Sequence, residues 1–291
     1  MALANINGLN LGYEIIGDAG PAWIVTPGGR FSKDKAGVRE LASDIAAYGY
    51  RVVIWDRPNC GESDVSFDAE SESEMQADCL AGLVRHLGLG PVVLAGGSAG
   101  ARVSLLATKR HPDIARALCL WWVTGGIAGY IANATVYGMA SFKTAWLFGM
   151  EGVAALPEWQ EVIERNPGNR QRILDQDRDT FVETMQRWMR IHIAGDDEVV
   201  AGLTEAEAHS ITIPCAVVLS PAADSIHLRT VSQRLADTLP NAITLEWPWP
   251  KDGSLEREAH NGTFSALFTR WREIAPALVG WAKDCGIGPN G

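Results

Sequence analysis

The chain has no basic excess. Its 35 acidic side chains outnumber 25 basic ones, for a formal net charge of −10 over 291 residues. That balance argues against nucleic acid or an anionic membrane as the main partner. Cysteine is sparse: Cys60, Cys79, Cys119, Cys215 and Cys285 are odd in number and scattered, and no pair has metal-ligand spacing. The expectation is buried free thiols in a reducing cytosol, with neither a disulfide framework nor a metal site. Met1 to Gly12 carries no basic n-region and no apolar h-region, which predicts a cytoplasmic protein without a signal peptide. Internal repeats are absent. The glycine-rich turn at Gly96 to Gly100 is neither G-x-G-x-x-G nor a loop ending in Lys-Ser/Thr, and no cofactor is implied. One uncharged stretch, Ala117 to Phe142, is long enough on paper to span a bilayer. Thr124-Gly125-Gly126, Gly129, Asn133 and Gly138 interrupt it. It reads as a buried strand (Ala117 to Val123), a turn and an apolar helix.

What is present is an alternation of short apolar runs and amphipathic stretches. Ala22 to Thr26, Arg51 to Trp55 and Pro91 to Ala95 read as buried strands. Between them, Val38, Leu41, Ile45 and Tyr48, then Leu80, Leu83, Val84 and Leu87, recur at helical spacing. Such alternation predicts βαβ units, a mostly parallel sheet and an α/β fold. Ile6 and Leu11 to Ile16 flank Asn7-Gly8, a hairpin signal at the sheet edge. From about Gly126 to Ser210 the strand rhythm stops, and helical patterns rich in aromatics and methionine take over. It returns with Ile213 to Ser220, a helix over Leu228 to Leu239, a strand over Ala242 to Trp247 and a last helix over Phe264 to Trp281. The expected organisation is a core of residues 1–125 and 211–291 with an all-helical insert at 126–210.

The chemistry centres on Gly96-Gly97-Ser98-Ala99-Gly100, which fits G-x-S-x-G between a strand and a helix. A serine on that sharp turn is lifted clear of the sheet, and small neighbours let helix and strand pack closely. A phosphate-cradling turn is the competing use of such glycines.

With Trp55-Asp56-Arg57-Pro58-Asn59-Cys60-Gly61-Glu62-Ser63-Asp64 after the preceding strand and Arg110-His111-Pro112 after the following helix, the elbow resembles the α/β-hydrolase superfamily. The resemblance implies a mostly parallel eight-stranded sheet with an inserted helical cap, and the order nucleophile, acid, base. Ser98 is then the nucleophile. Asp224, in Pro221-Ala222-Ala223-Asp224 after a strand, matches the acid's turn, with Pro221 in place of a glycine. His260, before the last helix, matches the base. His227 is set aside as too close to Asp224 to bridge it to a serine. The oxyanion hole is expected from the backbone N–H groups of Ala99 and Gly29, with Pro27 where the family often has histidine.

Arg30 is a candidate contact to an anionic or carbonyl group, or a solvated loop cation. Eleven tryptophans are many for this length. Trp122, Trp146 and Trp188 are candidates to line the cleft, which points to a small hydrophobic or aromatic substrate. Arg187 and Arg190 flank Trp188 and read either as partners for a substrate carboxylate or as a solvated helical face. Ester or lactone hydrolysis leads. The meta-cleavage-product hydrolases, the proline iminopeptidases, a cofactor-independent oxygenase and a non-catalytic hydrolase-like receptor compete. A homodimer is compatible with the sequence.

Overall fold

The computed structural model describes residues 2–222, 224, 226–248 and 268–289. Among them an eight-stranded sheet runs in the order β1-β2-β4-β3-β5-β6-β9-β10. Its strands are β1 (Ala2–Ile6), β2 (Leu9–Ile16), β3 (Ala22–Thr26), β4 (Arg51–Trp55), β5 (Val92–Gly97), β6 (Ala115–Trp121), β9 (Cys215–Val218) and β10 (Ala242–Leu245). β1, β2 and β4 pair antiparallel, and every pairing from β4 to β10 is parallel. The hairpin at the edge forms as the sequence predicts. Asn7 and Gly8 take φ of 53° and 82°, the left-handed pair that a tight two-residue turn requires.

Helices α1 (Val38–Ala46), α2 (Glu72–His86), α3 (Ala99–Arg110), α10 (Arg229–Thr238) and α11 (Ala275–Asp284) cover the two faces. One apolar core joins Leu80, Leu83, Val103 and Leu106 to Ile24, Leu94 and Leu118. The other joins Val38, Leu41, Leu278 and Val279 to Val25, Val52 and Val93. Strands covered on both sides need no apolar–polar alternation, which is why they read as continuous apolar runs.

Between β6 and β9 lie α4 (Gly126–Ala134), a π-helical turn (Thr135–Met139), α5 (Ala140–Ala154), α6 (Pro157–Arg165), α7 (Gly168–Leu174), α8 (Arg178–Ile191) and α9 (Glu205–Ser210). The sequence reading expected an all-helical insert, and the structure departs from it. β7 (Glu198–Val200) and β8 (Leu203–Thr204) form a small antiparallel pair. Gly202, at φ 84°, makes its turn, and strands this short give no periodic signal. The uncharged stretch 117–142 is divided between β6, α4, the π turn and the start of α5. No helix among the described residues is long and apolar enough to cross a membrane. Cys60, Cys79, Cys119 and Cys215 are buried free thiols, and Cys285 is exposed. Burial pushes the thiols of Cys60, Cys79 and Cys215 up to about 12, so they remain protonated.

Candidate active site

Ser98 sits where β5 ends and α3 begins, with φ 56° and ψ −120°. This is a strained backbone for a residue with a side chain, and it persists because the packing leaves no alternative. A Cβ on Gly100 would lie 2.1 Å from the Thr26 carbonyl oxygen, and one on Gly96 would lie 2.5 Å from the Gly100 carbonyl carbon. Both positions therefore demand glycine, and α3 can approach β3 and β5 closely enough to hold the elbow.

From Ser98 a row of hydrogen bonds leads to the end of β9. Ser98 Oγ lies 3.0 Å from His227 Nε2, and His227 Nδ1 lies 3.2 Å from Asp224 Oδ2. The exclusion of His227 on sequence grounds is thus corrected. The Asp224 Oδ1 atom accepts the backbone N–H groups of Ile226 (3.0 Å) and His227 (2.9 Å). The chain folds over its own carboxylate, so three residues suffice to return the imidazole to the other oxygen. His227 is further fixed by a parallel bridge to Gly125 and by the Trp122 indole, stacked at 5.5 Å and 13°. His260 lies outside the described residues. Asp224 and His227 are both buried.

The loop after β6 also reaches Ser98. Thr124 Oγ1 lies 3.3 Å from Ser98 Oγ. Nothing in Trp121-Trp122-Val123-Thr124 announces this contact except its place at the carboxyl end of a central strand, where open α/β sheets collect their ligands.

The loop after β3 lies against the elbow. A Cβ on Gly28 would sit 3.3 Å from Ser98 Cβ. The Arg57 Nη2 atom donates to the Gly28 carbonyl at 3.2 Å and also to the Gly29 carbonyl. In a trans peptide the Gly29 N–H points opposite to the Gly28 carbonyl, so Arg57 orients the expected donor. Ala99 opens α3, where the first N–H groups have no intrahelical acceptor. The remaining residues of the Trp55 to Asp64 motif are structural. Asp56 Oδ1 accepts the Lys33 N–H at 2.6 Å, and its Oδ2 accepts the Glu62 N–H at 3.1 Å. The buried Lys33 ammonium pairs with Asp34, Glu62 and Asp56 at 2.9, 3.3 and 3.6 Å.

The candidate binding residues divide. Trp122 reaches the site through His227. Arg30 is no solvated cation: it is nearly buried, paired with Glu72 at 3.1 Å, and lies over the Tyr137 and Trp159 rings at 5.4 and 4.9 Å. Trp188 is a correction. Its Nε1 donates to the Ala69 carbonyl at 2.9 Å, and its ring packs with Phe67 inside the insert's own core. Trp146 is another, 66% exposed with its ring 6.4 Å from Phe142, a surface place. A helix apolar on most of its circumference does not reveal which arc faces the cleft. Arg187 pairs with Glu70 at 3.1 Å, and Arg190 is exposed.

Residues 26–121 match the family model described as alpha/beta hydrolase fold. A thermophilic esterase from Thermogutta terrifontis has the same fold, with TM-score 0.61 and 18% identity over 97% of this chain and 98% of that one. The chain has the α/β-hydrolase fold. It is 36% identical over 117 residues to the sn-1-specific diacylglycerol lipase ABHD11 of Mus musculus, covering 40% of this chain and 37% of that protein. It is 28% identical over 129 residues to the 2-hydroxy-6-oxononadienedioate/2-hydroxy-6-oxononatrienedioate hydrolase 2 of Pseudomonas putida, covering 44% and 45%. The matches thus span less than half the length of these curated relatives.

Proposed function

We propose that this α/β hydrolase is a serine hydrolase acting through an acyl-enzyme on esters or lactones of small hydrophobic or aromatic compounds. The observation that carries this reading is the hydrogen-bonded row Ser98–His227–Asp224 on a strained elbow. In the proposed mechanism the imidazole takes the Ser98 hydroxyl proton as Oγ attacks the carbonyl carbon. The Asp224 carboxylate orients the ring and stabilises its positive charge. The tetrahedral oxyanion is held by the Gly29 and Ala99 N–H groups, each worth about 3–4 kcal/mol to the transition state. The imidazolium then protonates the leaving oxygen, and water, deprotonated by the same ring, releases the acid. Residues 126–210 act as the cap that selects the acyl and leaving groups.

A second reading, carbon–carbon bond hydrolysis, is favoured by the likeness to the dienedioate hydrolase of Pseudomonas putida. A panel of aryl esters, lactones and ring-cleavage dienoates separates the two.

The base is tested by comparing His227→Ala with His260→Ala. The contact with Ser98 supports His227, and the place before the last helix supports His260. Ser98→Ala should lower kcat by about 10³-fold or more and abolish labelling by a fluorophosphonate. His227→Ala should do nearly the same to turnover, with His260→Ala much milder. The reverse ranking transfers the base to His260 and leaves His227 as a contact of Ser98. Full activity in Ser98→Ala removes the hydrolase reading altogether.

A further inference from the structure

Beside the elbow, on the side of the Gly28-Gly29 loop, lies a group of buried cations that the hydrolytic row does not use. Arg57 spends its guanidinium on the carbonyls of Gly28 and Gly29 and lies 3.4 Å from Gln76 Oε1. Arg30 spends its charge on Glu72, whose carboxylate is also held by Asn59 Nδ2 at 2.9 Å. Its Nη1 atom is buried and has no partner. Arg102 is different. It stands one helical turn after Ser98, nine-tenths buried, and its Nε donates to Ser73 Oγ at 3.0 Å. Among the described residues it has no ion pair, and neither terminal guanidinium nitrogen has a hydrogen-bond partner.

The acidic groups nearby are accounted for. Glu72 is held by Arg30, and Glu74 pairs with Arg110 at 3.4 Å. On the Ser73, Glu74 and His192 side of Arg102 a void of about 20 Å³, lined by neither Arg30 nor Tyr137, has room for a water but not for a counter-ion. His192 supplies no negative charge. Burial, and then Arg102 and Arg30, hold its pKa well below the ordinary value, so it stays neutral. Burial first, and also the neighbouring Arg57, lower the pKa of Arg102, against the opposing influence of Tyr137 and Glu72. A buried charge without a partner is unfavourable, and proteins retain one where something else completes it.

The Tyr137 phenol ties this group to the reaction centre. Its hydroxyl lies 3.3 Å from where a Cβ on Gly29 would be, and its ring lies under the Arg30 guanidinium. Among the described residues the hydroxyl has no hydrogen-bond partner. Arg102 leads the charges that act on it, followed by Arg57 and Arg30. A phenolic O–H and an unused Arg30 N–H thus lie beside the expected oxyanion loop, and Arg102, one helical turn beyond Ser98 with a free fork of N–H donors, is the charge that acts most strongly on that phenol.

We propose that Arg102, Arg30 and Tyr137 form a subsite for a carboxylate borne by the substrate, so that the substrate is an ester or lactone with an apolar body and a free acid group. A carboxylate fits because the terminal guanidinium nitrogens of Arg102 are free to form a bidentate fork with one planar anion, whereas Arg57, which among the described residues also has no ion pair, spends its Nη2 on the Gly28 and Gly29 carbonyls. The proposal rests on the serine-hydrolase reading for the reaction but not for the binding, so each can fail separately.

The test compares p-nitrophenyl hydrogen glutarate with its methyl-capped neutral counterpart, and titrates 4-phenylbutyrate calorimetrically. The wild-type enzyme should prefer the free acid by at least tenfold in kcat/KM, chiefly through KM. It should also bind 4-phenylbutyrate. Arg102→Gln should lose at least tenfold more on the acid than on the neutral ester, and should lose the calorimetric signal. Tyr137→Phe, which keeps the ring and guards against misfolding of the first variant, should shift the same ratio by severalfold. A preference for the neutral ester, equal losses on both esters in both variants, or no binding of 4-phenylbutyrate to the wild type overturns the subsite. Loss of fluorophosphonate labelling with carboxylate binding intact overturns only the hydrolase reading.

Discussion

In the central strands β3 and β5 every residue is buried, whereas along the helices between β6 and β9 Ile127, Ile131, Val136, Trp146, Leu147 and Phe148 all stand more than half exposed. Both regions are apolar in sequence. A strand covered on both faces offers its side chains a single environment. A helix offers an inner and an outer arc, and here the insert uses both. Trp159, Phe181, Met185 and Trp188 pack inward against Phe67, while Trp146 and Phe148 face out. The strand ends therefore hold Ser98 and its neighbours with little freedom, and the insert brings Tyr137 to the proposed carboxylate subsite beside Arg30 of the core.

The sharpest way to break this contrast is in the sheet. Gly100→Ala drives a methyl group into the Thr26 backbone at 2.1 Å, with no flexible side chain to yield. We expect a loss of more than about 3 kcal/mol, or no folded protein, read by chemical denaturation. A stable, active Gly100→Ala enzyme would mean that the elbow is looser than the geometry requires. In the insert the outcome should depend on the arc. Trp188→Ala removes a buried ring and its hydrogen bond to Ala69, and should cost about 3–5 kcal/mol. Trp146→Ala should fall within about 0.5 kcal/mol of the wild type. Equal effects in the two would erase the distinction between the arcs.

A further expected effect concerns acid. His192 is buried beside Arg102 and Arg30, with its ring 5.7 Å from Tyr137, and its folded pKa lies well below the ordinary value. The unfolded chain therefore binds its proton more readily. The stability held by neutral His192 is complete above about pH 6.5 and is lost as pH falls from there toward the folded pKa. His192→Gln should flatten the dependence of Tm on pH below 6.5. An unchanged slope would show that another group carries it.

The β-edge hairpin, the strands β3 and β4 and the glycine-rich turn at Ser98 were legible in the sequence, because each depends on local chemistry: a left-handed Asn-Gly turn, apolar runs of strand length, and small residues around a serine. Arg102 left a weaker trace, a lone charge in the otherwise uncharged helical run Ala101 to Leu106. The partnership of His227 could not be read, because spacing alone does not reveal that residues 224–227 fold over their own carboxylate. Nor could the places of Trp146 and Trp188, since equal hydrophobicity fits either arc of a helix. The amino-acid order by itself determined the sheet, its sequence of strands and the strained turn that presents Ser98. Only tertiary structure decided which imidazole meets that serine, which tryptophans are buried and which buried arginine keeps its terminal nitrogens free. Those outcomes depend on distances between segments far apart in the chain, and such distances are set by packing rather than by local preference.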